Sequence, residues 1–125
     1  MIVLDASVIL ASILREPGGE VFASLTEEFR LSTINLGEIV SKLSERGFAE
    51  TEIAVATEPL FANCIPLNAA QAFQAGLLRK ETKRFGLSMA DRCCLALGLE
   101  LGATVYTTDR AWEGLDLGVR VEVVR

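Results

Sequence analysis

Apolar residues follow two different spacings along the chain, and each spacing predicts one kind of element. Short apolar runs that end at polar or turn residues are typical of buried strands. The last such run, 119–124, alternates apolar and polar residues, which is typical of a half-exposed strand. Strands are predicted at 2–4, 30–34, 65–67, 104–108 and 119–124.

The longer segments between these runs have apolar residues at helical spacing. Leu36, Ile39 and Leu43, for example, share one face of a helix that Gly47 is expected to end. Helices are predicted at 6–14, 18–27, 35–47, 51–62, 69–85 and 89–101. Because strands joined by helical crossovers form parallel sheets with helices on both faces, we expect an α/β fold. It should be a single domain, 1–125, around a central, mostly parallel sheet of four or five strands.

Four acidic residues stand where strands end or where the following helices begin. Asp5 directly follows the first strand and interrupts an apolar run, and Asp109 directly follows the fourth strand. Glu38 and Asp91 fall in the first turns of two predicted helices. Ligands of open parallel sheets bind in the crevice outside the carboxyl ends of the strands. We therefore expect the four acids to meet at that edge.

Helix capping is the alternative explanation for these acids. Asn35 and Ser88 stand three residues before Glu38 and Asp91, which is the spacing of N-terminal capping pairs. The other two acids are at positions suitable for simple N-caps, and one cap stabilises a helix by roughly 1 kcal/mol. Capping explains each acid by itself. It does not explain why four capping acids should meet at one edge of the sheet.

The composition narrows the possible chemistry. Half of the residues are hydrophobic, which is typical of a globular protein, and the net charge of −5 argues weakly against a broad nucleic-acid-binding surface. The chain has no histidine, so the Ser-His and Cys-His nucleophiles and most zinc catalysis are excluded. Its three cysteines form neither a disulfide framework nor a zinc spacing, so we expect a cytoplasmic protein. With no apolar run of about 20 residues, we expect no membrane span.

Carboxylates that converge repel one another unless a cation joins them. Mg²⁺ and Mn²⁺ prefer oxygen ligands and keep several of their waters. Such an ion activates water and stabilises charge on a phosphate without the help of a histidine. The residues of this chain are therefore best suited to metal-assisted hydrolysis of phosphodiesters.

Four short motifs resemble those of a known family. They are DASVIL after the first strand, NLGE, LSMAD and VYTTD, and their order and intervals are similar to those of the PIN domain. More narrowly, they resemble the VapC toxin ribonucleases of toxin–antitoxin pairs. The similarity extends over essentially the whole chain.

The resemblance implies a role for each motif. Asp5, Glu38, Asp91 and Asp109 would be the catalytic acids and would hold one or two Mg²⁺ or Mn²⁺ ions. Supporting positions of the family are matched by Ser7, Asn35, Ser88, Thr107 and Thr108, of which Asn35 and Ser88 are implied to cap and orient helices. The implied activity is endonucleolytic cleavage of structured RNA, such as transfer or ribosomal RNA. The implied partners are a small VapB-like antitoxin, whose tail covers the site, and a second copy in a homodimer.

Substrate contacts are harder to assign from the sequence. Arg79, Lys80, Lys83 and Arg84 end the long predicted helix just before the helix of Asp91. They are either solvated cations that favour the helix C-terminus or a strip that binds phosphates of RNA. Further candidates for RNA contact are Arg110 and Arg92. Arg92 either faces solvent or RNA, or folds back over the four acids, where it would compete with a metal ion. Trp112 either stacks on a base or packs in the core.

Two other functions remain open at the level of the sequence. In an aspartyl phosphotransferase of the haloacid-dehalogenase or receiver type, Asp5 would be the nucleophile. The first type requires an acid where this chain has Ser7, and both require a lysine after a late strand, whereas the only lysines lie on predicted helices. The other function is a non-catalytic module that binds RNA or protein. The complete set of four acids argues against it.

Overall fold

Five short strands form one sheet in the computed structural model, which describes residues 1–125. The strands are β1 (Ile2–Leu4), β2 (Phe29–Ser32), β3 (Cys64–Ile65), β4 (Thr104–Thr107) and β5 (Val121–Val123). Every pairing is parallel, and the order across the sheet is β3-β2-β1-β4-β5. This confirms the predicted α/β class and its central parallel sheet.

The central strand determines where a ligand can bind. In β1, Ile2 pairs with Phe29 of β2 on one side and with Thr104 of β4 on the other. The sheet grows from β1 through β2 to β3 in one direction, and β4 and β5 extend it in the other. The carboxyl ends of β1 and β4 therefore lie at the point where the strand order reverses, which is the usual place for a ligand crevice.

Seven α-helices connect the strands. They are α1 (Ala6–Ile13), α2 (Gly19–Ala23), α3 (Thr33–Glu45), α4 (Glu50–Thr57), α5 (Ala69–Leu77), α6 (Arg79–Thr82) and α7 (Met89–Leu101). Three short 3₁₀ segments lie between these elements, at Glu58–Asn63, Lys83–Phe85 and Arg110–Trp112. The predicted helix 89–101 has the bounds of α7, and 6–14 differs from α1 by one residue. No helix is both long and apolar enough to cross a membrane.

Two hydrophobic cores cover the two faces of the sheet. Ile2 and Leu4 point to one face, where they pack with residues of α1 and α3. Val3 points to the other face and packs with residues of α7 and with Trp112. Trp112 is only 1% exposed, so it belongs to this core and not to a base-stacking surface. The predicted cover of helices on both faces is therefore confirmed.

Several predicted element bounds are wrong, and local chemistry explains most of them. The strand predicted at 30–34 ends at Ser32, because Thr33 and Ile34 already belong to α3. The helix predicted at 51–62 is α-helical only to Thr57, and the 3₁₀ segment after it contains Pro59, whose ring lacks an N–H donor. The strand predicted at 65–67 is shorter because Pro66 also lacks this donor.

Two predicted helices are shorter in the structure. The segment 69–85 consists of α5, α6 and a 3₁₀ turn in place of one continuous helix, and Gly86 ends it with a positive φ of 70°. The helix predicted at 18–27 covers only Gly19–Ala23, after which the Ser24 hydroxyl donates to the Glu20 carbonyl at 2.8 Å. The strand predicted at 104–108 ends one residue earlier, at Thr107, and the strand predicted at 119–124 is limited to Val121–Val123.

The close packing of α7 on β4 orients the helix that bears Asp91. A Cβ atom placed on Gly98 would lie 2.4 Å from Cγ2 of Val105, so only glycine allows this approach. Cys93 and Cys94 are buried in the same helix, and all three cysteines of the chain are free thiols. Burial raises the pKa of the Cys94 thiol well above its ordinary value, so this side chain stays a neutral core residue.

Candidate active site

Asp5 lies at the carboxyl end of β1 and is 4% exposed. It occupies the N-cap position of α1, yet its side chain makes no capping hydrogen bond. Instead its Oδ2 atom accepts hydrogen bonds from the hydroxyls of Ser7, at 2.7 Å, and Thr107, at 2.9 Å. Helix capping therefore does not account for Asp5.

The hydroxyl groups around Asp5 join the ends of β1 and β4. Ser7 Oγ accepts a hydrogen bond from the backbone N–H of Thr108 at 2.9 Å. Thr107 Oγ1 accepts one from the N–H of Asp109 at 3.1 Å and lies 3.3 Å from Ser7 Oγ. The predicted supporting residues Ser7, Thr107 and Thr108 thus form one network at the point where the strand order reverses.

Glu38 lies in α3 and is half-buried. Its Oε1 atom accepts a hydrogen bond from Asn35 Nδ2 at 2.8 Å, and the same nitrogen lies 3.4 Å from the carbonyl oxygen of Ala90 in α7. The expectation that Asn35 caps this helix is wrong, because the helix begins earlier and Ser32 is its N-cap residue. Asn35 is fully buried and links the two helices that bear Glu38 and Asp91.

Asp91 and Asp109 do take part in capping, as the alternative explanation predicted. Asp91 Oδ2 accepts from the backbone N–H of Ser88 at 2.9 Å, while Ser88 Oγ accepts from the N–H of Asp91 at 3.2 Å. This is the reciprocal capping box expected for these two residues. Asp109 Oδ1 accepts from the N–H of Ala111 at 2.9 Å and caps the 3₁₀ segment after β4.

The four acids share one feature of their hydrogen bonding. In each carboxylate, protein donors reach only one of the two oxygens, which are Asp5 Oδ2, Glu38 Oε1, Asp91 Oδ2 and Asp109 Oδ1. The second oxygen of each side chain has no hydrogen-bond donor from the protein. The three ion pairs of the molecule lie elsewhere, so no Lys or Arg neutralises these acids directly.

Burial raises the pKa of Asp5 to about 6, from an ordinary value of 3.8. The Ser7 and Thr107 hydroxyls oppose this rise, because they donate to the charged form, whereas the negative charges of Asp91 and Glu38 add to it. At neutral pH the Asp5 carboxylate is therefore ionised but is held at a cost in free energy. A cation beside it would remove that cost.

The pKa values of Glu38 and Asp91 are raised too, chiefly by burial. The charge of Asp91 further raises the pKa of Glu38, and the charge of Asp109 further raises that of Asp91. These effects link all four acids in one electrostatic cluster. Lys42 lowers the pKa of both Glu38 and Asp91, so its positive charge reaches the cluster.

Sequence reasoning did not single out Lys42. The signal for it is its spacing, since Lys42 follows Glu38 by four residues and so lies one helical turn further along the same face.

The chemistry of this cluster fits a hard divalent cation. No three acidic side chains are drawn together as a preformed metal-binding group. Mg²⁺ and Mn²⁺ nevertheless keep several waters, so one or two carboxylates in direct contact are enough. Four carboxylates, each with one oxygen held and one without a protein donor, supply such ligands. Their raised pKa values also indicate that added positive charge would be favourable.

Three of the cationic candidates for substrate binding line a common groove. Arg79, Lys80, Lys83, Arg84 and Arg110 are exposed. Three of them, Lys80, Lys83 and Arg84, line an open groove of about 750 Å³ together with Glu81 and Asp116. The guanidinium carbon of Arg84 lies 4.8 Å from the centre of the Phe85 ring, a cation–π distance.

The expectation that Arg92 faces solvent or RNA is wrong. This residue is 6% exposed, because its side chain turns into the protein. Its Nη2 atom lies 3.7 Å from Sδ of Met89, while Nε and Nη1 are buried without a hydrogen-bond partner. Arg92 forms no ion pair with any of the four acids.

Four electrostatically linked acids near the carboxyl ends of an all-parallel sheet, in a chain without histidine, define an α/β protein with a candidate site of carboxylates. The family model described as PIN domain matches residues 2–116. The chain therefore belongs to the PIN domain family, which confirms the resemblance of its four motifs.

Solved structures of VapC-type toxins have the same fold. VapC20 of Mycobacterium tuberculosis, described as a Sarcin-Ricin loop cleaving toxin, is 19% identical, with a TM-score of 0.76 over 96% of this chain and 99% of that one. VapBC from Salmonella typhimurium bound to DNA is 23% identical, with a TM-score of 0.74 over 98% of both chains. VapBC2 from Rickettsia felis bound to a promoter fragment is 19% identical, with a TM-score of 0.73 over 98% of both chains. No curated protein sequence matches the chain.

Proposed function

We propose that this protein is a Mg²⁺- or Mn²⁺-dependent endoribonuclease toxin that a cognate antitoxin neutralises. The observation that supports this most directly is the hydrogen bonding of Asp5, Glu38, Asp91 and Asp109. Each carboxylate is oriented by a protein donor on one oxygen and offers the other oxygen to a ligand. A purely structural role would not require four acids, of which Asp5 is buried, two are half-buried and Asp109 is exposed, to be oriented and yet left without a Lys or Arg partner.

Each part of the site has a task in the proposed reaction. A divalent ion bound here would activate water and stabilise the charge that develops on the phosphate. Asp5 is held rigidly by the Ser7 and Thr107 hydroxyls, so its free oxygen has a fixed direction. Asn35 keeps Glu38 oriented and also contacts the helix of Asp91. Without histidine, proton transfer would use water and these carboxylates.

For RNA binding we propose the exposed cations Lys80, Lys83 and Arg84, which line the groove of about 750 Å³. The exposed cations Arg79 and Arg110 are proposed to assist them. Lys83 and Arg84 lie shortly before Ser88, and the other wall of the groove follows the 3₁₀ segment after Asp109. The groove therefore borders two of the segments that hold the acids. The cations of this groove would hold the phosphates of a structured RNA, such as transfer or ribosomal RNA.

The antitoxin and the second copy of the chain are proposed from the fold. The structures described above are a toxin and toxin–antitoxin complexes. An antitoxin tail that presents a basic side chain to the acids would satisfy their free oxygens. For the homodimer we propose α5, where Phe73 and Leu77 are one turn apart and are 69% and 57% exposed.

The early helices offer little exposed apolar surface to an antitoxin helix. Of their large apolar side chains, Ile53 is buried, Phe22, Leu25 and Phe48 are half-buried against the first core, and Phe61 is exposed. Most of these side chains therefore complete the core.

The decisive experiment is cleavage of a pool of total RNA by the purified, antitoxin-free protein. Reactions contain Mg²⁺, Mn²⁺ or EDTA, and the Asp5→Asn variant is tested alongside. Glu58→Gln is the control, because Glu58 is an exposed acid outside both the four acids and the grooves proposed to bind RNA. We expect discrete fragments that require both the metal and Asp5 and that Glu58→Gln still produces.

A folded protein that binds RNA but never cleaves it, with either metal, would contradict the proposal. It would favour the alternative of a non-catalytic module that binds RNA or protein.

A further inference from the structure

A second groove begins directly beside the acid cluster, between α1 and α3. Its volume is about 490 Å³. Ser7 and Thr108 line one end, and these are the residues whose hydrogen bond joins the network around Asp5. Lys42 and Arg46 of the α3 side line it as well. The groove is therefore continuous with the site through Ser7.

Both cations of this groove are unpaired. Lys42 and Arg46 are exposed, and neither forms an ion pair or a side-chain hydrogen bond. Glu38 stands four residues before Lys42, the favourable order for a helical ion pair, yet the two side chains do not meet. Glu16 and Glu45 also line the groove without pairing to either cation. Lys42 and Arg46 are thus available to an external anion.

Lys42 and Arg46 follow Glu38 along the chain at intervals of four residues, or about one helical turn each. Lys42 lies one turn beyond Glu38 on α3, and its positive charge acts on both Glu38 and Asp91, although no ion pair forms. Arg46 lies one turn further, about 6 Å along the helix at 1.5 Å per residue. Two positive charges therefore follow the acid cluster in a row.

We infer that Lys42 and Arg46 bind the phosphates of the RNA strand next to the bond that is cleaved, an inference that rests on the proposed function. RNA binding requires positive charge near the acids, because a protein with net charge −5 and four clustered carboxylates repels a phosphodiester. Cations beside the acids offset that repulsion and hold the strand in place. The groove is lined by no aromatic side chain that could stack on a base, so phosphate contact is the chemistry it offers.

The inference is tested by RNA binding in the Asp5→Asn background with Mg²⁺ present, so that the strand is not cut. Lys42→Gln and Arg46→Gln are titrated with fluorescently labelled single-stranded RNAs of two unrelated sequences over a range of salt. Arg120→Gln is the matched control, since Arg120 is exposed and precedes β5 at the opposite edge of the sheet. Glu45→Gln removes a negative charge from the same groove.

We expect each of the two substitutions to weaken binding roughly fivefold to tenfold at about 50 mM salt, and equally for both sequences. Each should also reduce the salt slope by about 0.7, the value for one phosphate contact of a single strand. Glu45→Gln should strengthen binding, a gain that a merely structural role of these residues would not produce. Arg120→Gln should match the parent.

Unchanged affinity and salt slope in both Lys42→Gln and Arg46→Gln would overturn the inference, as would a loss confined to one RNA sequence. The outcome of this test can be distinguished from a failure of the proposed function. In the cleaving protein, Arg46→Gln should raise KM by a larger factor than it lowers kcat. If no metal supports cleavage, the proposed function fails, while the binding measurements still decide whether this groove holds RNA.

Discussion

The carboxyl group of Asp5 is buried at a high electrostatic cost. Burial and the neighbouring acids together raise its pKa to about 6, although two hydroxyls donate hydrogen bonds to it. In the unfolded chain the same group would ionise near 3.8. The folded state therefore holds its proton more tightly than the unfolded state, and the ionised carboxylate destabilises the fold above pH 6.

This cost predicts the pH dependence of stability. In EDTA, protonated Asp5 contributes to the free energy of unfolding. This contribution is fully present below pH 4 and is lost as the pH rises through about 6. The raised pKa corresponds to about 3 kcal/mol. Asp5→Asn should therefore unfold with nearly the same free energy as the parent at pH 3.5 and should be up to about 3 kcal/mol more stable at pH 7.5. Urea titrations followed by the fluorescence of Trp112, the only tryptophan, measure the difference.

Asp116→Asn is the control for unfolding, because Asp116 is an exposed aspartate, and we expect it to follow the parent at every pH. An Asp5→Asn variant that is less stable than the parent at neutral pH would mean that Asp5 is chiefly a structural residue.

At the scale of residues, sequence reasoning located the acids but not their contacts. Each acid could be placed because it follows a strand or begins a helix. The hydrogen bond between Asp5 and Thr107 could not be predicted, because Thr107 is 102 positions away along the chain. Arg92 shows the same limit, since its neighbour Asp91 is half-buried while Arg92 itself turns into the protein. Burial of a single side chain depends on packing that a local pattern does not contain.

At the scale of elements, α3 and α7 determine the geometry of the site. The helix start at Thr33 could not be read from the sequence, because the β-branched Thr33 and Ile34 favour a strand by propensity and packing overrides it. The start of α7 was predicted correctly, since the capping box of Ser88 and Asp91 is a purely local signal. Elements with such local signals are predictable, and those set by tertiary packing are not.

The approach of α7 to β4 predicts the effect of an added methyl group. Gly98→Ala would place its Cβ against Val105 at 2.4 Å and Val119 at 3.1 Å. Because valine side chains are stiff, α7 must shift, which should cost about 1–3 kcal/mol of stability. Cleavage should fall as well, since this helix bears Asp91.

Gly76→Ala in α5 provides a control of opposite sign. The new methyl group would meet nothing within 4 Å, so it should stabilise the protein by about 0.5–1 kcal/mol. Urea unfolding measures both variants. Equal stability of Gly98→Ala and the parent would mean that α7 is not held closely against β4.

At the scale of the whole molecule, metal binding should couple to folding. An ion that binds only the folded state stabilises it, by about 2.7 kcal/mol when its concentration is a hundred times its dissociation constant. At pH 7.5 we therefore expect Mg²⁺ or Mn²⁺ to raise the melting temperature of the parent by several degrees. The shift should be much smaller in Asp5→Asn and unchanged in Asp116→Asn.

This experiment reads thermal unfolding and does not depend on RNA cleavage. An equal shift in the parent and in Asp5→Asn would assign the metal to another part of the surface.

The position of β1 in the centre of the sheet has a consequence for how the protein is made. Of the five strands, β1 is the first to leave the ribosome, yet it is paired on both sides only after β4 has formed. Asp5 receives its hydrogen bond from Thr107 only after a further 102 residues have been translated. Contacts so distant in sequence form slowly, because a long loop must close first. A nascent chain therefore cannot assemble this site until β4 has been translated. For a protein proposed to attack the RNA of its own cell, the order of strands would itself delay activity until β4 has left the ribosome.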